Sequence, residues 1–264
     1  MVSIIISTYN WPEALKLCVE SIFKQTTLPA EIIIADDGSK QPTFDVIESL
    51  TKRSPVPIIH VWHPDEGFKL SQIRNKAIAK VSQQYIIQID GDILLEKHFV
   101  EDHLNIAEQG YMVTGSRVNL SEYYSSLIIA ANIIPPNSEL RKNSTNYFNS
   151  LRIPILMPFF AKRYKTKGKY LHFTRGCNMA YFKDDIVNVN GYNEDMTGWG
   201  SEDTELVARM LQNGIKKKFI KLGGIGYHIW HPFASRKRAT INDEIYKETI
   251  KQKLTWVENG LNKY

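Results

Sequence analysis

The sequence predicts an α/β protein with a mainly parallel central sheet flanked by helices. Two observations support this fold class. In the first 115 residues, strand-like apolar runs alternate with helix-like amphipathic runs, and short polar clusters directly follow the strand-like runs. With 264 residues, 43% of them hydrophobic, the chain can bury the core of one large or two small domains.

Five apolar runs have the length and the β-branched composition of strands. They cover residues 2–7, 31–36, 57–62, 85–90 and 111–116. Between them, apolar residues recur with helical spacing over residues 13–25, 43–52, 71–81 and 96–110. Because a helix separates each pair of consecutive strands, those strands are expected to run parallel.

Polar clusters follow four of these strands. They are TYN at 8–10, DDGS at 36–39, HPDEG at 63–67 and DGD at 90–92. Parallel strands end at the same edge of a sheet, and ligands bind beyond that edge. The four clusters are therefore expected to line one binding site.

Two carboxylates, Asp90 and Asp92, stand at the end of the strand YIIQID with only Gly91 between them. Extended backbone would place both side chains on the same side, where two anions repel. A divalent cation such as Mg²⁺ or Mn²⁺ would relieve that repulsion. The alternative interpretation is an ordinary polar turn after a strand.

The alternating pattern weakens between residues 121 and 170. This segment mixes tyrosines, prolines and an apolar patch with the basic run FFAKRYKTKGKY. It is interpreted either as a membrane-surface or mobile acceptor segment, or as a helical hairpin packed on the core.

A further helix is predicted over SEDTELVARMLQNG, with Ser201 as its N-cap and Gly214 as its stop. Glu202 and Asp203 would lie in its first turn, where acids are favoured whether or not they have a function. Trp199 between two glycines directly before this helix, and His228 after it, make the acids candidates for a site.

The net charge of +5 and a pI near 9.0 favour an anionic partner. Basic residues concentrate at 216–221 and 235–238, and both runs are expected to be solvated surface. The chain has neither a G-x-G-x-x-G turn opening a helix nor a phosphate-binding G-x-x-x-x-G-K-[ST] loop, which disfavours dinucleotide dehydrogenases and P-loop nucleotidases.

Cys18 and Cys177 are far apart, which argues against a disulfide scaffold or a zinc site. No basic leader precedes the first strand, and no apolar run approaches the length that spans a bilayer. The expected location is therefore cytoplasmic, in a reducing compartment.

The ordered set of motifs resembles family 2 inverting glycosyltransferases of the A-type fold. The motifs are IIISTYNWPEALKLCVESI, EIIIADDGS, Gly67 with Arg74 and Asn75, QIDGD, GCNMAYFKDDIVNVNGYNE and GWGSEDTELVARMLQNG. They cover about residues 2–120 and 172–232. The second half is also similar to β-1,4-galactosyltransferases and bacterial chondroitin-type polymerases. Ser201 departs from the family pattern, which has glycine there.

The resemblance implies roles for individual residues. By resemblance, Thr8 and Tyr9 line the base pocket, Asp37 or Asp36 accepts the uracil N–H, and Arg74 supports the nucleotide. Asp90 lies on the ribose and metal side, Asp92 and His228 bind Mn²⁺ or Mg²⁺, and Asp203 is the general base. The glycines on both sides of Trp199 suggest that its ring stacks on a sugar. Glu202 is the alternative base and His231 the alternative metal ligand, while His228 and Trp199 could each be core residues instead.

The activity that the resemblance implies is metal-dependent transfer of a hexose or N-acetylhexosamine from a UDP-sugar to a glycan or lipid-linked glycan, in bacterial surface polysaccharide synthesis. An anionic membrane surface is a further expected partner, with the enzyme peripheral at the inner membrane, and nucleic acid is not expected. The alternatives are a non-catalytic nucleotide- or glycan-binding protein and a sugar-phosphate nucleotidyltransferase.

The resemblance also suggests how the chain is organised. Residues 1–117 are interpreted as the nucleotide-sugar-binding half and residues 118–241 as the acceptor-binding and catalytic half of the same domain. Residues 242–264 are expected to form a C-terminal helical extension.

Overall fold

The computed structural model describes residues 1–232 and 235–264. Its main sheet has seven strands, namely β1 (Val2–Thr8), β2 (Glu31–Asp36), β3 (Ile58–Trp62), β4 (Tyr85–Asp90), β6 (Tyr111–Gly115), β8 (Met179–Phe182) and β9 (Lys216–Ile220). They lie side by side in the order β3-β2-β1-β4-β8-β6-β9. Only β8 runs antiparallel to its neighbours, β4 and β6. The predicted mainly parallel sheet is therefore confirmed.

The second half of the chain completes this sheet. Strand β8 inserts between β4 and β6, and β9 extends the sheet beyond β6. Strands from both parts of the chain thus form one sheet, and residues from both parts pack in the same apolar clusters on its two faces.

Helices cover both faces of the sheet. They are α1 (Pro12–Phe23), α2 (Gln41–Arg53), α3 (Leu70–Lys80), α4 (Phe99–Ile106), α5 (Glu122–Ala131), α6 (Asn137–Lys142), α7 (Met157–Ala161), α8 (Lys183–Asn188), α9 (Glu202–Gln212) and α10 (Ala239–Gln252). In β1, Ile4 and Ile6 pack into the cluster under α1, whereas Ile5 packs into the cluster under α3 and α9. Burial on both faces explains why β1 is apolar throughout rather than alternating.

A small second sheet lies beside the ends of the main strands. It has the order β5-β10-β7, formed by β5 (Ile93–Leu95), β7 (Val118–Asn119) and β10 (Gly226–His228). Its register pairs His228 with Ile93, the residue that follows Asp92. This sheet therefore brings His228, from late in the chain, next to Asp92, which lies just beyond the end of β4.

The segment 121–170 is helical where it meets the core, as the second of its two interpretations expected. Tyr124 and Ile128 of α5 are buried in a third apolar cluster. Ser121 caps this helix by accepting a hydrogen bond from the Tyr124 N–H, and Asn132 ends it in the left-handed conformation. None of the helices in the described parts of the chain is long and apolar enough to span a bilayer.

Three expectations from the sequence are wrong in detail. The basic run 216–221 is a sheet strand in which Lys217 and Lys218 are buried, and the Lys218 ammonium donates to the Ile106 carbonyl. Helix α4 covers only the middle of 96–110. The C-terminal helix begins at Ala239, three residues before the expected start, and ends at Gln252. Beyond it, Leu261 packs into the core instead of continuing a helix.

Candidate functional site

A cleft of about 1060 Å³ lies beyond the carboxyl ends of β1 and β4. The alternative metal ligand His231 lines it, and Asp36 does not. Ten other residues with sequence-predicted site roles also line it. They are Thr8, Tyr9, Asp37, Arg74, Asp90, Asp92, Trp199, Glu202, Asp203 and His228. The predicted clusters at 8–10, 36–39 and 90–92 each contribute lining residues, whereas no residue of 63–67 lines the cleft. Helix α9 and strand β10 line it from the second half of the chain.

The structure separates the two candidates for base recognition. Asp36 is fully buried, with one oxygen 2.9 Å from His60 Nε2 and the other accepting from the Ser39 N–H, and it does not line the cleft. Asp37 lines the cleft, 2.7 Å from His63 Nε2, and accepts from the Lys69 N–H. Asp37 is therefore the residue of the pair that can meet a ligand, and Asp36 supports the loop.

Arg74 joins two carboxylates at the floor of the cleft. Its side chain is almost entirely buried, at 1% exposure. It donates from Nη2 to Asp90 Oδ1 at 3.1 Å and from Nη1 to Asp203 Oδ1 at 2.9 Å. Burial raises the pKa of Asp90 to about 6, because the favourable charge of Arg74 offsets only part of the desolvation and of the repulsion from Asp92.

Asp92, His228 and His231 form a cluster that could hold a metal ion. Asp92 Oδ2 lies 3.3 Å from His228 Nε2 and 3.1 Å from His231 Nε2. Burial would raise the pKa of Asp92, but hydrogen bonds from both histidines hold it below its usual range. Asp92 Oδ1 is buried and has no hydrogen-bond partner among the described residues.

This donor set fits a divalent cation. One carboxylate and two imidazoles offer ligand atoms that all lie within 4.8 Å of one another. The unpartnered Oδ1 supplies a further oxygen, which a buried carboxylate would otherwise leave unsatisfied. His228 and His231 both face Asp92, so the expected ligand and its alternative are both candidate ligands.

Asp203 is held by three hydrogen-bond donors. Besides Arg74, the Tyr192 hydroxyl lies 3.0 Å from Oδ1, and the Gly176 N–H donates to Oδ2 at 2.8 Å. A Cβ at Gly176 would lie 2.3 Å from Oδ2, so only glycine allows this approach. The carboxylate is thereby fixed in one orientation at the edge of the cleft.

Ser201 is the N-cap residue of helix α9, as predicted, but its side chain makes no capping hydrogen bond. Its φ is +62°, in the left-handed region, whereas a capping side chain needs extended backbone. This conformation favours glycine, which accounts for the family pattern at this position. Glu202 follows as a buried residue, and desolvation together with the charge of Asp203 raises its pKa to about 7.

The aromatic residues Trp199 and Tyr9 lie at the open side of the cleft. Trp199 is 41% exposed, with the guanidinium carbon of Arg236 5.1 Å from its ring centroid, so it is not a core residue. Gly198 and Gly200 on either side have positive φ. Tyr9 donates its hydroxyl to Asp65 Oδ2 at 2.9 Å. Both rings are partly exposed and line the cleft.

Several residues at the cleft were not identified from the sequence, and four of them carry charge or contact Asp203. They are Arg117, Arg175, Gly176 and Tyr192. Tyr192 and Gly176 lie within motifs that carry the family resemblance, and this was their only signal. Arg117 and Arg175 follow no recognisable spacing, because loops after β6 and before β8 bring them to the cleft.

Comparison with known proteins identifies the family of the chain. A family model described as Glycosyl transferase family 2 matches residues 3–189, and one described as the N-terminal domain of galactosyltransferase matches residues 158–232. Validoxylamine A glucosyltransferase of Streptomyces hygroscopicus subsp. limoneus is 27% identical over 226 residues, which are 81% of this chain and 49% of that protein. Chondroitin synthase of Escherichia coli is 25% identical over 239 residues, 86% of this chain and 34% of that protein.

A solved structure of Staphylococcus aureus TarS 1–349 in complex with UDP superposes with a TM-score of 0.65 at 13% identity. It covers 96% of this chain and 64% of that one. At this identity the likeness concerns the fold, and it confirms the predicted A-type fold. The chain spans about half, or less, of the length of these two curated relatives.

Proposed function

Because the chain belongs to glycosyl transferase family 2, we propose that it transfers a hexose or an N-acetylhexosamine from a UDP-sugar to a glycan or lipid-linked glycan, with inversion at the anomeric carbon. The observation that carries this proposal is one cleft in which the Asp90–Arg74–Asp203 bridge lies beside the Asp92–His228–His231 cluster. Bacterial surface polysaccharide synthesis is the proposed setting.

The nucleoside is proposed to bind at the ends of β1 and β2. Asp37 would accept the uracil N–H, since its carboxylate faces the cleft and is oriented by His63 and the Lys69 N–H. Thr8 and Tyr9 would form the walls of this pocket. Asp90, fixed by Arg74, would hold the ribose side.

Asp92, His228 and His231 are the proposed ligands of Mn²⁺ or Mg²⁺. A bound divalent cation would offset the negative charge of the diphosphate and stabilise UDP as it leaves. The mixed nitrogen and oxygen donor set favours Mn²⁺ over Mg²⁺, which prefers oxygen ligands.

Asp203 is the proposed general base. The acceptor hydroxyl oxygen would form a bond to the anomeric carbon while the bond from that carbon to the diphosphate oxygen breaks on the opposite face. The electron pair of the broken bond leaves with UDP, and the hydroxyl proton passes to Asp203. Oδ1 already has Arg74 and Tyr192 as neighbours, so Oδ2, with one partner, is the better acceptor of the proton.

Glu202 is proposed to assist rather than act as the base. Its carboxylate is more buried than that of Asp203, and one of its oxygens accepts from the Gly200 N–H. At neutral pH its raised pKa leaves a share of the side chain protonated. In that form it can donate a hydrogen bond to an acceptor hydroxyl as well as accept one.

The test of the reaction class is donor hydrolysis by the purified chain. A panel of UDP-, GDP- and TDP-sugars is incubated with Mn²⁺, with Mg²⁺ or with EDTA, and released nucleoside diphosphate is measured. Metal-dependent release from one UDP-sugar is expected. If UDP binds but no sugar is released, even with added glycan acceptors, the protein is a nucleotide-binding protein and the proposal fails.

An anionic membrane surface is the proposed location of the acceptor. Residues 140–182 contain no Asp or Glu, and five of their basic residues are exposed, namely Lys142, Lys162, Arg163, Lys167 and Lys169. Within the same segment, Phe148 is 76% and Ile155 86% exposed. Exposed apolar side chains among basic residues are typical of surfaces that bind anionic lipid.

Sedimentation with liposomes containing anionic lipid tests this location. Binding at low salt is expected, together with its loss in the double variant Phe148→Ser, Ile155→Ser. Both side chains are exposed, so the fold should tolerate the change. The absence of binding by the unmodified protein at low salt would remove the membrane from the proposal.

A further inference from the structure

Two arginines line the cleft next to the candidate metal ligands. Arg117 follows β6, and its carbonyl accepts from the Asn146 side-chain amide, which holds the loop in place. Arg175 directly precedes Gly176, whose N–H donates to Asp203. Both side chains belong to the cleft wall. They come from different halves of the chain and meet only through the fold.

Neither guanidinium pairs with a carboxylate. In the described residues, no Asp or Glu oxygen lies within salt-bridge distance of Arg117 or Arg175, and neither side chain makes a hydrogen bond. Arg117 Nε is buried and has no hydrogen-bond partner among the residues that the structure describes. A buried donor without a partner costs free energy, and a hydrogen-bond acceptor bound in the cleft would offset that cost.

Three other poorly exposed arginines of this protein pair with carboxylates. Arg74 pairs with Asp90 and Asp203, Arg152 pairs with Asp102, and Arg209 pairs with Glu205. Arg141, which lies outside the cleft, has the Tyr147 ring centroid 4.3 Å from its guanidinium carbon instead of a carboxylate, and its Nε has no hydrogen-bond partner among the described residues. Arg117 and Arg175 also lack a carboxylate, and they differ from Arg141 because they line the cleft.

The two charges also act against each other. Burial lowers the pKa of Arg175, and the positive charge of Arg117 lowers it further. The guanidinium carbon of Arg175 lies 5.7 Å from the Phe173 ring centroid, which provides its described aromatic contact. Two like charges held together at a cleft are stabilised when an anion binds between them.

We propose that Arg117 and Arg175 form an anion-binding subsite of the cleft that takes a phosphoryl group of the ligand. Guanidinium groups match phosphate oxygens with paired N–H donors, and two of them balance a doubly charged group. The inference rests on the proposed function for the origin of that group. It comes either from the diphosphate of the donor nucleotide or from a phosphate carried by the acceptor.

Calorimetry with uridine and with UDP, in the presence of Mg²⁺, tests the donor source. The variants are Arg117→Gln and Arg175→Gln, and the control is Arg163→Gln, an exposed arginine outside the cleft. If the donor diphosphate occupies the subsite, Kd for UDP rises about tenfold in each variant, while Kd for uridine stays the same. The control should bind both ligands like the unmodified protein.

Phosphorus NMR tests the acceptor source with inorganic phosphate as the probe. Phosphate is titrated into the protein with and without saturating Mg²⁺ and UDP. An acceptor subsite broadens the phosphate signal in the presence of UDP, and both variants abolish this broadening while Kd for UDP is unchanged. The proposal is overturned if both variants bind UDP like the unmodified protein and also leave the phosphate signal unchanged.

The melting temperatures of the variants and nucleotide binding by the unmodified protein provide two further tests. Removing one of two repelling charges should leave the melting temperature equal or higher, so a loss of folding in either variant also contradicts the proposal. If the unmodified protein binds neither uridine nor UDP, the proposed function fails. The phosphate titration without nucleotide still decides whether the subsite exists.

Discussion

The Arg74 guanidinium donates to Asp203 Oδ1 at 2.9 Å, although the two residues are 129 positions apart. The same guanidinium donates to Asp90 Oδ1. One buried cation therefore joins the end of β4 to the first turn of α9, and it couples the proposed nucleotide side of the cleft to the proposed base.

Replacing Arg74 by Gln should destabilise the protein and abolish transfer. The change leaves two buried or partly buried carboxylates without their cation, which costs about 3–5 kcal/mol in comparable sites. Urea unfolding measures the loss. The control Arg53→Gln removes a surface ion pair with Glu20 and should cost about 1 kcal/mol or less. Equal effects of the two changes would contradict a structural role for the Arg74 bridge.

Replacing Asp203 by Asn should reduce transfer by about 100-fold or more, because a neutral amide cannot take the acceptor proton. The Kd for UDP with metal should change little, since Asp203 is not a proposed nucleotide ligand. Turnover and calorimetry on the same preparation separate the two effects. Full activity in this variant would exclude Asp203 as the base. If transfer is lost in Glu202→Gln and kept in Asp203→Asn, Glu202 is favoured as the base.

Replacing Glu202 by Gln should stabilise the protein above pH 7. The pKa of Glu202 in the folded protein, about 7, lies above its usual value, so the folded state keeps a proton that the unfolded chain has lost. The free energy of unfolding therefore decreases as pH rises through this window, by up to about 3 kcal/mol, and Gln removes that dependence. Melting temperatures at pH 4.5 and 8 measure it. A difference between protein and variant that does not grow with pH contradicts the burial argument.

Replacing Asp92 by Asn should abolish the stabilisation that Mn²⁺ with UDP gives to the protein. The variant loses the shared partner of His228 and His231, so the cluster keeps only its two imidazoles as strong ligands. Thermal shifts with Mn²⁺ and with EDTA measure the effect. His172→Gln is a suitable control, because His172 bonds to the Tyr246 hydroxyl and does not line the cleft. A full Mn²⁺ response in Asp92→Asn would exclude the proposed site.

Replacing His63 by Leu should raise Kd for uridine several-fold. His63 Nε2 lies 2.7 Å from Asp37 Oδ1, and the Lys76 ammonium lies 3.3 Å from Nδ1, which favours the tautomer that donates to Asp37. Without this donor, the carboxylate is held only by the Lys69 N–H. Calorimetry with uridine measures the effect, and His98→Gln is the control outside the cleft. Unchanged uridine affinity would show that Asp37 needs no support from His63.

Local sequence predicted most of the scaffold because its signals are local. The strands at 31–36 and 85–90 were located to the residue, since burial on both faces makes them continuous apolar runs with polar ends. The weaker cases have equally physical reasons. The sequence predicted that Lys217 lies on the surface. Its ammonium instead donates hydrogen bonds to the carbonyls of Tyr170 and Leu171, and no local sequence pattern predicts such bonds.

The sequence by itself determined the fold class, the family and the acids of the site. These acids are Asp90, Asp92, Glu202 and Asp203. They lie at the ends of strands and helices, and the spacing of apolar residues predicts where those ends are. The tertiary structure alone decided which residues meet. It places Asp37, rather than Asp36, at the cleft. It also brings His228 and His231 next to Asp92, and Gly176 next to Asp203. Arg117 and Arg175 line the cleft without a carboxylate partner among the described residues. These contacts join segments far apart in the chain, and long-range packing, rather than local propensity, fixes their geometry.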